Sequence, residues 1–151
     1  MRLAQLLCAL VFWGVTPAMA QVVGDPEAIR LMMTEFGLPV TPDKDSTGDP
    51  KLESRIDGTH FTVYFYDCDK ATCGAIQFSA GFDMDQPLSA ERVNDWNRGT
   101  RFGKVYLDDE SDPFVVMDVE LGPDGIGRKN FDGVLDTWRV VLSDFRSFIN
   151  W

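Results

Sequence analysis

The sequence predicts an α+β domain, an antiparallel sheet of about five strands with helices on one face. Three observations predict it: a helix-period stretch after residue 25, period-two stretches through the middle, and a long apolar helical stripe at the end. Asp25-Pro26 pairs an N-cap carboxylate with the proline favoured in a first helical turn. Ile29, Met32, Met33 and Phe36 follow at helical spacing, and Gly37 supplies the stop. Thr41 to Pro50 is polar and reads as a connecting stretch. Lys51 to Ile56 and His60 to Tyr66 flank Asp57-Gly58, a two-residue hairpin signal. In the second arm Phe61, Val63 and Phe65 alternate with Thr62, Tyr64 and Tyr66. A third strand is expected from about Gly74 to Phe82.

Ser89 caps a short helix reaching Asn97, with Val93 and Trp96 spaced to face inward and Gly99 to end it. Arg101 to Leu107 and Phe114 to Leu121 read as two strands joined across the acidic turn Asp108 to Pro113. Gly122 to Gly127 reads as a flexible turn. In the closing helix Phe131, Val134, Leu135, Trp138, Val141, Leu142, Phe145 and Phe148 form one apolar stripe. Trp96, Phe102 and Trp138 are therefore expected to be structural anchors of the core.

The first twenty residues carry the strongest functional signal. Arg2 precedes an apolar run from Leu3 to Val15, and Ala18-Met19-Ala20 has the small-x-small form of a signal-peptidase site. The run is too short for an anchor, which needs about 20 apolar residues. Residues 1–20 are thus expected to be a signal peptide, and residues 21–151 a single domain of a periplasmic or secreted protein. That leaves about 130 residues, enough to bury a core without a structural metal. The chain has 24 Asp and Glu against 14 Lys and Arg, a net charge of −10. Such a surface repels phosphate backbones and anionic lipid, so neither nucleic acid nor a membrane, once the leader is gone, is the expected partner.

Cys68 and Cys73 stand where one strand ends and the next begins, and an oxidising compartment favours pairing them as a disulfide. The C-x4-C spacing, without a second pair or a histidine cluster, does not suit zinc. His60 is the single histidine and has no nucleophile motif beside it, so no catalytic residue is assigned. Asp43 to Asp49 opens like a calcium loop, but Pro50 falls at the eighth position and Ser54 where a bidentate Glu is needed. Calcium or a small ligand remains the alternative reading; no cofactor or metal site is assigned. Acidic pairs such as Asp83 with Asp85, Asp108 with Asp109 and Asp118 with Glu120 arise readily in so acidic a chain. Tyr64 and Tyr66 share the strand face opposite Phe61, Val63 and Phe65. They are the expected partner-binding surface, unless a loop or the N-terminal segment covers them. Asn94, Asn97 and Arg101 are expected to fix the helix-to-strand junction.

Ser54-Arg55-Ile56-Asp57-Gly58 and the aromatic strand Phe61 to Tyr66 resemble the YbjN family of bacterial sensory transduction regulators. So do Gln77 to Phe82, Val93-Asn94-Asp95-Trp96-Asn97 and Arg101 to Asp108, where the W-N-x3-R-F core is the most specific part, and the closing helix with Trp138 and Phe145. The resemblance runs roughly from Glu27 to Ile149. It implies a fold similar to the chaperones of type III secretion systems, which are small, acidic, non-enzymatic binding proteins that often form homodimers. An export signal and a cysteine pair depart from the cytoplasmic setting in which such regulators are usually placed. The expected function is an exported, non-catalytic interaction or regulatory module with chaperone-like binding of a protein partner.

Overall fold

The computed structural model of the protein describes residues 21–151, so the expected leader lies outside the described residues. Helix α1 (Pro26–Glu35) starts as its sequence demands: the Asp25 carboxylate accepts from the Ala28 amide and Pro26 occupies the first turn. Six strands make the main sheet: β2 (Val40–Lys44), β3 (Pro50–Ile56), β4 (Thr59–Asp69), β5 (Thr72–Gly81), β6 (Lys104–Leu107) and β7 (Pro113–Glu120). Their order is β2-β3-β4-β5-β7-β6, and every neighbouring pair is antiparallel. Helix α2 (Ala90–Gly99) links β5 to β6, and helix α3 (Arg128–Ile149) closes the chain. Two short strands, β1 (Gln21–Val22) and β8 (Ile126–Gly127), pair outside the main sheet, and β8 falls within the stretch Gly122 to Gly127 expected to be a flexible turn.

The α+β class with helices on one face is what the patterning predicts, with six strands where about five were expected. The extra strand is β2. Its residues are exposed or half-buried throughout, so it carries no alternation and its polar sequence reads as a connector. Pairing alone defines it, and an edge position tolerates Pro42. The β3–β4 turn follows its Asp57-Gly58 signal: both residues take positive φ, 48° and 83°, as a hairpin whose twist matches its strands requires.

The core lies between the inner sheet face and the helices. Trp138 is fully buried, with its ring centre 5.9 Å from Phe61 and 5.6 Å from Phe78. Ile29 and Met33 of α1, and Phe131, Leu135, Leu142 and Phe145 of α3, complete the layer. Trp96 packs edge-on against Phe145, and its indole N–H donates to the Gly103 carbonyl at 2.8 Å. The side-chain amide of Asn97 donates to the Val105 carbonyl at 3.0 Å and accepts from the Val105 N–H at 2.8 Å, tying the end of α2 to β6.

Phe102 departs from its expected role as a core anchor: it is 49% exposed. The strand begins at Lys104, not Arg101, because Gly103 takes φ +72° and turns the chain. A Cβ at Gly103 would stand 2.3 Å from a Val141 methyl, so the backbone presses on α3 there and carries the Phe102 ring out to the surface. Val105 enters the core instead.

Candidate functional site

Period two divides the sheet into a helix-covered face and an outer face on which, among the described residues, no helix lies. The register aligns the outer residues in rows. Lys51, Tyr64, Gln77 and Asp118 form one row, and Tyr66, Ala75 and Glu120 the next. Phe114 and Tyr106 face each other across β7 and β6, their rings stacked at 5.4 Å and 11°. All three tyrosines of the chain therefore stand on this face, while the buried aromatic residues are phenylalanine and tryptophan. A phenol needs water or a partner for its hydroxyl; a phenyl ring does not.

Polar groups are tied down around the rings. Gln77 donates through its amide nitrogen to an Asp118 carboxylate oxygen at 2.8 Å. The Lys51 ammonium contacts Glu53 at 2.8 Å and Asp43 at 3.1 Å, and those two carboxylates hold its pKa well above the usual lysine range. Partial burial pushes the Tyr66 phenol up, helped by Tyr64 and Asp118. The Tyr106 phenol rises for the same first reason, with Tyr64 and Asp108 contributing. Between Tyr64 and Phe114 lies a shallow depression of about 260 Å³, floored by Thr62, Ser79 and Gly81 and flanked by His60. Gly81 is bare because the Phe114 ring covers it: a Cβ there would come within 2.7 Å of that ring.

Of the residues singled out from sequence, Tyr64 is half-buried on this face and Tyr66 is 46% exposed. Among the described residues the Tyr66 ring is left half exposed, and the N-terminal residues from Gln21 pair at β8 and Cys73 instead. Tyr106, Phe114 and Gln77 were not expected on this face, and Asp118, noted in sequence only as one of an acidic pair with Glu120, joins them here. The signal was available: Lys104 and Tyr106 alternate with Val105 and Leu107 as clearly as the residues of β4 do.

Cys68 and Cys73 lie directly opposite each other in the β4–β5 register, Cα atoms 3.8 Å apart and sulfurs at bonding distance. The Cys73 amide also donates to the Gly24 carbonyl at 2.9 Å, so the pair joins the hairpin end to the N-terminal segment. The segment expected to open like a calcium loop is the β2–β3 turn. One Asp45 carboxylate oxygen accepts from the Thr47 and Asp49 amides, both at 2.9 Å, while Asp43 pairs with Lys51. These carboxylates are spent on the turn and on an ion pair. Among the described residues no group of three His, Cys, Asp or Glu side chains is placed to hold a metal. No described helix is long and apolar enough to cross a membrane.

Comparison with curated proteins and with solved structures found no match. A family model does match, over residues 25–151: YbjN, described as a putative bacterial sensory transduction regulator, a description that names a regulator and no reaction. With that match spanning the three helices and the whole main sheet, the chain belongs to the YbjN family.

Proposed function

We propose that this protein is an exported, non-catalytic regulatory module that captures a protein partner on the outer face of its sheet. The observation that carries the reading is the placing of all three tyrosines on the face that none of the described helices covers. Polar-tipped aromatic residues are enriched at protein interfaces, where one end of the ring is buried and the other stays wet. The depression beside Tyr64 holds about 260 Å³, below the roughly 300–1,000 Å³ usual for small-ligand clefts, so on this face a macromolecular partner suits the surface better than a small molecule. Chaperone-like binding follows from the same face, a broad surface able to hold a segment of another chain.

Two measurements test it. The double change Tyr64→Ser with Tyr66→Ser should weaken self-association or partner capture in sedimentation while leaving the melting curve nearly unchanged. A variant that unfolds while the parent sediments as a monomer would place these rings in the core and defeat the reading. Export is tested separately: protein recovered from the periplasm should begin near Gln21, and a chain still starting at Met1 would contradict it.

A further inference from the structure

The sheet has two edges, and they are finished differently. The β2 edge carries Pro42, Asp43 and Lys44, the residues that discourage a further strand. At the other edge the short strand β6 covers β7 only in part. β6 pairs with Pro113 to Val116 and no further, so Met117 to Glu120 have no neighbour on that side among the described residues. The Phe82 amide bonds to the Pro113 carbonyl and the Leu121 amide to the Gly74 carbonyl. Alternation then points the backbone groups of odd-numbered β7 residues toward β5, and those of Asp118 and Glu120 toward the open edge. Two N–H and two C=O groups are left facing outward.

A groove of about 550 Å³ runs along this open stretch, between it and α3. Phe102, Met117, Val119, Gly133 and Val134 line it, together with the polar Lys129, Asn130 and Thr137 of α3. Two of these residues have no other account in the fold. Phe102 is half exposed at its rim. Gly133 stands inside α3, where glycine weakens a helix, yet a Cβ there would meet no atom within 4 Å beyond its own helix. Nothing among the described residues requires the glycine; another backbone approaching closely would.

We infer that the β7 edge takes up an extended segment of the partner protein, four or so residues long, as an added strand beside Met117–Glu120, with apolar side chains toward α3 and basic ones on the outer face. The length follows from the open stretch, and the chemistry from its two faces. Met117 and Val119 point into the groove, while Asp118 and Glu120 are the side chains an added strand would meet outside. A second copy fits poorly, because twofold antiparallel pairing would set Asp118 against Glu120 twice, and like charges directly opposite destabilise a pair. The added strand would extend the face that carries Tyr64 and Tyr66, so the inference rests on the proposed partner-binding role and specifies how the partner docks.

The probe is an acetylated seven-residue peptide alternating Lys with Val, with a Glu–Val peptide as its control. Expected is binding of the Lys–Val peptide alone, with at least tenfold slower hydrogen exchange at the Asp118 and Glu120 amides. Gly133→Leu, which the open space admits, should weaken that binding tenfold or more at a melting temperature that is equal or higher, since leucine suits a helix better than glycine. Asp118→Lys with Glu120→Lys should transfer the preference to the Glu–Val peptide. Equal binding of both peptides, no binding of either, or unchanged exchange at those amides would overturn the inference. Partner capture lost in the tyrosine variant but retained in Gly133→Leu would also overturn it, while leaving the broader reading standing.

Discussion

β4 presents two faces built from neighbouring residues of one strand, and they have opposite fates. Phe61, Val63 and Phe65 are buried against Trp138 and its neighbours. Thr62, Tyr64 and Tyr66 look the other way, among Gln77, Asp118 and Lys51. Both faces are aromatic, so hydrophobicity alone does not separate them. The hydroxyl does. The inner face closes on α3 and excludes water, which suits phenyl rings; the outer face keeps each phenol in reach of water or of a partner. Stability should therefore sit on the inner face and recognition on the outer one.

The largest test of that division is Trp138→Ala. It removes a fully buried indole from between Phe61 and Phe78 and should cost about 3–5 kcal/mol in denaturant melts. The indole N–H of Trp138 has no hydrogen-bond partner among the described residues, so Trp138→Phe should cost distinctly less than truncation to alanine. Trp96→Ala belongs with the large effects, whereas Phe102→Ala should stay within about 0.5 kcal/mol because its ring is half exposed. A large loss at Phe102 would return it to the core.

The cysteine pair comes next. Intact mass with thiol alkylation should find no free thiol at Cys68 or Cys73 in protein taken from an oxidising compartment. Replacing both by serine should lower stability by about 2 kcal/mol, since the loop they close is short. Two free thiols in periplasmic protein would remove this staple from the account.

The smallest effect is alkaline. Tyr66 and Tyr106 hold their protons more tightly folded than unfolded, chiefly through partial burial. Their contribution is complete below the unfolded phenol value of about 10 and is lost as pH rises through the higher folded values. Urea melts taken stepwise across that range should show stability falling, with a shallower fall in Tyr66→Phe with Tyr106→Phe. An identical slope would mean that the outer face does not sense the charge of its phenols.

Much of this architecture is written locally. Asp25-Pro26, Ser89 and Asp57-Gly58 each specify a cap or turn through their own backbone chemistry, and the structure places α1, α2 and the β3–β4 turn there. The stripe from Phe131 to Phe145 and the alternation in β4 identify the buried faces for the same reason: one repeat distance serves both the element and its packing. β2 was invisible because an exposed edge strand needs no apolar alternation. Phe102 was misread because the pattern gives a residue's type but not where Gly103 turns the chain. Tyr106 could have been read from its own strand, yet its place across from Phe114 on the tyrosine face could not.

By itself, then, the sequence determined the class of fold, the helix-facing residues and the family, because these depend on periods and caps acting over a few neighbours. Tertiary structure decided the strand order, the gathering of Tyr64, Tyr66 and Tyr106 on one face, and the open edge at Met117–Glu120. Those features depend on which strand pairs with which and where β6 stops, and pairing joins residues dozens of positions apart, beyond the reach of any local pattern.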